Sequence, residues 1–249
     1  MVVTYNRLKL TQKTFDNLFI TTDYPFYLII VDNGSQDGTI QYLEELIKNE
    51  SKFKNNNLYF QGFITKFNQN NRGIAVGRNQ ALQLADKLQT EWLSTIDNDI
   101  ELPQGWLTEC IEIIKSNPKF MIGVNMEGVN YPLISINNQT FQIKKAGNLG
   151  TACTVFNKNL HELIGFFTTE YEKYGEDDAN WGFRARVVKW EMGYIERPGH
   201  HLGEGIFDIG EYRQFKDECR KNNLSKFHKD CFDYTSGQKH YYIDFNDIL

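Results

Sequence analysis

The chain has 249 residues, 41% of them hydrophobic and 24% charged, with a formal net charge of −5. That is an ordinary globular composition, long enough to bury about 70–75% of its unfolded surface, and it argues against a nucleic-acid binder that works by neutralising phosphates. No apolar stretch approaches the ~20 residues of a spanning helix, no signal-peptide layout opens the chain, and Cys110, Cys153, Cys219 and Cys231 form neither a C-x-x-C pair nor a zinc spacing. The expectation is a cytoplasmic protein with reduced thiols, able to touch a membrane surface.

In chain order, Met1 to Thr4 reads as a strand already under way, so it is expected to be short or to continue upstream. Tyr5-Asn6-Arg7 is the turn at its end. Leu8, Leu10, Phe15 and Leu18 have helical spacing and predict a helix to Phe19. Tyr27 to Val31 is a second, wholly apolar strand. It runs into Asp32-Asn33-Gly34-Ser35-Gln36-Asp37-Gly38-Thr39, a turn-rich stretch before a helix over Ile40 to Ile47, with Ser35 or Asp37 as its cap. Residues 52–57 read as polar loop, and Leu58 to Phe67 as a third strand or strand pair. Asn71 to Asn79 opens the next helix, which runs to Leu88. Trp92 to Ile96 is the fourth strand.

This alternation predicts an α/β fold with a mostly parallel central sheet and helices on both faces. Right-handed crossovers put each strand-to-helix loop on one edge. Asp32, Arg78, Asp97 and Asp99 are therefore expected around one crevice. The second half is less regular. A helix is predicted from Gly105-Trp106 to Lys115, then a strand from Met121 to Asn125. A hairpin follows over residues 131–145, a strand from Gly147 to Phe156, and a short helix from Leu160 to Gly165. Acidic residues precede a helix within Glu172 to Trp190. Tyr194 to Glu196 is a last strand, and a Gly-rich loop starts at Pro198. The tail is helical from about Glu211 to Lys221.

The chemistry concentrates at Asp97-Asn98-Asp99. In an open α/β sheet, ligands bind beyond the carboxyl ends of the strands. A pair of carboxylates there offers oxygen ligands to one hard divalent cation. Taken alone, the triplet is more often turn chemistry. The same bland reading applies to Asp32 as a turn residue, to Arg78 as a surface cation and to His200-His201 as an exposed pair.

Six segments in order change that weighting. Val3-Thr4-Tyr5-Asn6-Arg7, Ile30-Val31-Asp32 through Thr39, Asn71-Arg72-Gly73 through Arg78-Asn79, Asp97-Asn98-Asp99, Gly175-Glu176-Asp177-Asp178 and His201-Leu202-Gly203 together resemble the nucleotide-sugar-dependent glycosyltransferases of the A-type fold. The likeness is strongest to family 2, the large inverting family, and covers roughly residues 1–205. It implies a Rossmann-like single domain over 1–249. Residues to about 100 would bind the nucleotide sugar, about 101–205 would bind the acceptor, and 206–249 would be a helical extension.

The resemblance also implies roles. Thr4, Tyr5, Asp32, Arg78, Asp97 and Asn98 would bind the donor. Asp99 and His201 would hold Mn2+ or Mg2+, mixed nitrogen and oxygen ligands suiting manganese better than calcium. Asp177 would be the general base. Glu176, Asp178 and Trp181 would bind the acceptor, although Trp181 suits a core equally well. The acceptor would be a glycan, a lipid-linked carrier or a small hydroxyl compound. The loop Gly199 to Gly210 is expected to be mobile without donor and to close over it, with His201 rather than His200 toward the metal. The rivals are an inactive sugar-nucleotide-binding relative and a nucleotidyltransferase on a related fold. Against the latter, Thr4-Tyr5-Asn6-Arg7 stands where such enzymes carry a Gly-rich triphosphate loop.

Overall fold

The computed structural model describes residues 1–126, 133–135, 142–147, 149–171, 173–203 and 211–248. Its first half alternates as the sequence pattern requires: β1 (Val2–Thr4), α1 (Leu8–Thr21), β2 (Phe26–Asp32), α2 (Thr39–Lys48), α3 (Glu50–Asn56), β3 (Phe60–Phe67), α4 (Ile74–Asp86) and β4 (Trp92–Ile96). The second half adds β5 (Ile100–Glu101), α5 (Trp106–Ser116), β6 (Phe120–Met126), β7 (Leu133–Ser135), β8 (Gln142–Lys145), β9 (Cys153–Asn157), α6 (Lys158–Ile164), α7 (Asp177–Val187), β10 (Glu191–His201) and α8 (Glu211–Ser236).

The strands form one sheet in the order β3-β2-β1-β4-β9-β6-β10-β8-β7, with β5 joined to β10 off that path. β3, β2, β1 and β4 are parallel, as are β6 and β10. β9 and β8 run against their neighbours, so most strands share one direction. Strand β2 is covered on both faces, which is why Leu28 to Val31 reads as an unbroken apolar run. Along β2, Leu28 and Ile30 join a core with Phe15 and Leu18 of α1, Leu43 of α2 and Ile111 of α5. Ile29 and Val31 join the opposite core, with Ala81 and Ala85 of α4, Leu160 of α6 and Trp181 of α7.

Helix α4 approaches the sheet unusually closely. Gly77, Ala81 and Ala85 recur every four residues on one stripe. A Cβ at Gly77 would lie 2.6 Å from Val3 Cγ1. This close seating carries the next residue, Arg78, to the carboxyl end of β1 and β4.

Several expectations change on folding. Residues 52–57 are helix α3 up to Asn56, not loop. One aromatic side chain decides this: the Phe53 ring sits 4.7 Å from Phe19 and 5.8 Å from Phe63. Glu50 adds a carboxylate that accepts the Phe63 N–H at 2.9 Å. Helix α2 starts after Gly38, and Asp37 accepts the Thr39 N–H at 3.2 Å while Ser35 turns back to Asp32. Strand β10 does not stop at Glu196. After an irregularity between Ile195 and Gly199 it pairs with β5, setting His200 opposite Glu101 and His201 opposite Ile100. The hairpin expected over 131–145 is the antiparallel pair β7–β8, with 131–132 and 136–141 outside the described residues. Helix α8 runs on to Ser236, past the expected end near Lys221, and its buried side is largely polar. Lys216, Asn223, Asp230 and Asp233 are buried there, so hydrophobic periodicity ends long before the helix does.

Candidate active site

A cavity of about 870 Å³ opens beyond the carboxyl ends of β1 and β4. One wall carries Tyr5, Arg7, Asn98 and Asp99, another Arg78, Glu176, Asp177 and Asp178, and a third Arg213, Lys216 and Arg220 of α8. Asp97 follows β4 directly, and its N–H is held by the Ala152 carbonyl at 2.8 Å.

Asp97, Asp99 and His201 offer one ligand atom each within 4.8 Å of one another. The pairing of β5 with β10 produces this closeness. It places His201 Nε2 3.6 Å from Asp99 Oδ1, and the Leu202 N–H donates to the Asp99 carbonyl at 2.7 Å. His201 Nδ1 is buried with no partner among the described residues. Two carboxylates and an imidazole with an unsatisfied nitrogen fit a divalent cation. Burial first, and then the charge of Asp97, raises the Asp99 carboxyl above the ordinary range, against the pull of His201, Arg7 and Lys216.

Across the cavity, Arg78 joins the two acidic groups. Its Nη1 donates to Asp177 Oδ2 at 2.5 Å and its Nη2 to Asp97 Oδ1 at 3.4 Å. Burial works against the Arg78 charge, but Asp177, Asp97 and Asp178 outweigh it and hold the guanidinium firmly protonated. Burial likewise pushes the Asp177 carboxyl up to about 6, opposed by Arg78 and reinforced by Asp178. Asp177 is the first residue of α7, after Glu176 in a left-handed backbone conformation at φ 67°. The turn aims the carboxylate inward at the helix N-terminus, where negative charge is favoured. Glu176 is itself raised, by burial and then by Asp178.

The remaining sequence-predicted residues divide. Tyr5, Asn98, Glu176 and Asp178 line the cavity. Thr4 also borders it, but its hydroxyl donates to Asp32 Oδ2 at 2.8 Å. Asp32 does not face the cavity. It is wholly buried, and its oxygens accept from the N–H groups of Gly34 and Ser35 at 3.0 and 2.9 Å and from the Ser35 hydroxyl. It organises the turn after β2, and the neighbouring Asn33 borders the cavity instead. Trp181 lies away from the cavity too, and of its two readings the core is the one observed. It is buried between Phe156 and Phe167, stacked on the latter at 5.1 Å, and belongs to the core. His200 is exposed on β10. Of the Gly-rich loop, residues 204–210 lie outside the described residues.

Sequence reasoning assigned no role to Arg7, Tyr174, Lys216 or Arg220. Lys216 and Arg220 both lie over the Tyr174 ring, at 4.5 and 5.2 Å. Their spacing with Arg213, three and then four residues, marks one helical face. That spacing was the available signal.

Comparison with known proteins adds three findings. A family model described as glycosyl transferase family 2 matches residues 1–190. No curated protein matches the chain. Among solved structures, the mannosyltransferase PcManGT from Pyrobaculum calidifontis in complex with GDP-Man and Mn2+ aligns with a TM-score of 0.66 at 16% identity, over 92% of this chain and 63% of that one. TarS from S. aureus in complex with UDP-GlcNAc aligns at 0.60 and 18% identity, over 86% and 59%. GalNAc-T7 with UDP, GalNAc and Mn2+ aligns at 0.68 and 12% identity, over 96% and 57%. At such identities the likeness is one of fold, and the chain spans about three-fifths of each of these structures.

Proposed function

The chain belongs to glycosyl transferase family 2, and we propose that it transfers a sugar from a nucleoside-diphosphate donor to an acceptor hydroxyl, with inversion and with help from a divalent cation. The observation that carries this reading is one cavity with two chemistries. The Asp97, Asp99 and His201 cluster lies on one side and the Asp177 carboxylate on the other, and Arg78 touches both sides. Solved structures of this fold in complex with GDP-Man and Mn2+, and with UDP, GalNAc and Mn2+, support a nucleotide-sugar donor and a divalent cation in this reading.

In this reading Asp97, Asp99 and His201 hold the cation, which when bound neutralises charge on the departing diphosphate. Lys216 and Arg220 face the same anion from α8. Asp177 accepts the proton of the acceptor hydroxyl as its oxygen forms a bond to the anomeric carbon. The bond from that carbon to the donor phosphate oxygen breaks, and the diphosphate leaves with the electron pair. Attack opposite the leaving group inverts the centre. Glu176 and Asp178 are placed to bind further acceptor hydroxyls. Cys110 and Cys153 are buried free thiols, which suits a reducing, cytoplasmic setting. Among the described residues no helix is long and apolar enough to cross a membrane.

The test is turnover of a panel of nucleoside-diphosphate sugars before and after chelation. Chelator is expected to abolish transfer and hydrolysis, and Mn2+ or Mg2+ to restore them. Asp99→Ala should imitate chelation while remaining folded. Full turnover in chelator would remove the metal from the mechanism, and donor binding without any turnover would favour an inactive binder.

A further inference from the structure

Helix α1 does more than pack against the sheet. Arg7, Thr11 and Thr14 recur at four and three residues, which puts them on one face of its first turns. All three reach the segment that carries the metal-type acids. Arg7 Nη1 donates to Asp99 Oδ2 at 2.6 Å. The Thr11 hydroxyl accepts from the Asn98 amide at 2.9 Å, and the Thr14 hydroxyl accepts the Ile100 N–H at 3.0 Å. Thr11 and Thr14 are completely buried.

The backbone is strained to achieve this. Asn6 and Arg7 both have positive φ, at 56° and 63°. Asn tolerates that region, whereas Arg rarely enters it. The turn is held there by the Asn6 N–H on Ser35 Oγ at 2.7 Å and the Leu8 N–H on Asp37 Oδ2 at 2.8 Å. A second chain segment also makes room. A Cβ at Gly203 would lie 2.9 Å from Asp99 Oδ2 and 3.7 Å from Arg7 Nη1.

We propose that Arg7 is a positioning residue for the metal site, fixing Asp99 through one carboxylate oxygen so that the other is presented to the cation. This rests on the metal reading given above. The division of oxygens carries it: Arg7 holds Oδ2, whereas His201 Nε2 approaches Oδ1. Arg7 and His201 thus engage different oxygens of the one carboxylate. Groups that orient a metal-ligating carboxylate typically alter metal affinity by about 10–100-fold when removed.

The experiment is Mn2+ titration followed by electron paramagnetic resonance, with thermal melts to confirm folding, on the parent, Arg7→Met, Arg7→Lys, Gly203→Ala and Asp99→Asn. Arg7→Met is expected to weaken Mn2+ binding by about 10-fold or more. Arg7→Lys, which keeps a charge but loses the planar fork, should fall between it and the parent. Gly203→Ala keeps the arginine yet crowds Asp99 Oδ2, and should also weaken binding. Unchanged Mn2+ affinity in Arg7→Met would overturn the proposal. Tighter binding would overturn it too, since Arg7 would then be a competitor of the ion. If Asp99→Asn binds Mn2+ as the parent does, the metal reading itself fails and takes the proposal with it.

Discussion

The buried carboxylate of Asp177 has a consequence that can be measured. Its pKa lies at about 6 because burial outweighs the Arg78 guanidinium. A general base must be unprotonated, so kcat/KM should fall as pH drops through about 6 and reach a slope of one below it. Asp177→Asn is nearly isosteric and should fold and bind donor. It should lose ~10²–10⁴-fold in transfer and lose that acid limb as well. An Asp177→Asn enzyme with parental turnover and the same limb would move the base to Glu176 or Asp178. The residues behind this prediction were legible because Glu176, Asp177 and Asp178 are adjacent in sequence, as are Asp97 and Asp99. Asp32 was not legible in the same way. Its place at a strand end could be read, but not the rotation of its carboxylate inward onto Thr4, Gly34 and Ser35. Trp181 posed the same problem, since a large apolar ring suits a sugar platform and a core alike.

At the level of elements, periodicity located the strands and helices that bury apolar faces. It failed where a partner supplies the reason for the element. Helix α3 depends on Phe53 meeting Phe19, the far end of β10 on pairing with β5, and the last turns of α8 on polar contacts with the chain before α7. The seating of α4 gives a prediction of this kind. Alanine in place of Gly77 gains about 1 kcal/mol in helix propensity. Overpacking costs ~1–3 kcal/mol, and a Cβ only 2.6 Å from a β-branched side chain is closer than real contacts allow. The clash should win, so Gly77→Ala is expected to lower stability in urea unfolding. It should also weaken donor binding, because Arg78 moves with the helix. A variant as stable as the parent would show that α4 yields at no cost.

For the molecule as a whole, the family model ends at residue 190, yet the site draws His201 from β10 and Lys216 and Arg220 from α8. Something must fix that C-terminal helix against α7, which carries Asp177. The sequence offered no sign of it, because the connection is polar and long-range. Asp230 of α8 accepts from the Tyr171 hydroxyl at 2.8 Å, from the Asn180 amide at 3.0 Å and from Lys239 at 2.9 Å. Asn180 lies three residues after Asp177 and accepts from Arg184 Nε at 2.9 Å. Arg184 in turn donates to the Ile164 and Phe166 carbonyls at 2.5 and 2.6 Å. It is fully buried, and burial draws its pKa down to about 10. Removing one member leaves the others without partners in a dry setting, which costs about 1–3 kcal/mol for a buried polar group and more for a charged one. Asp230→Ala is therefore expected to destabilise the fold by at least that amount in urea. Asp230→Asn, which still accepts from Tyr171, should cost less. Because the same network holds α7, Asp230→Ala should also reduce transfer more than it reduces donor affinity. Parental stability in Asp230→Ala would mean that α8 is held by its few apolar contacts alone. Reduced stability with unchanged transfer would mean that Asp177 is fixed by its own turn and by Arg78, independently of the helix behind it.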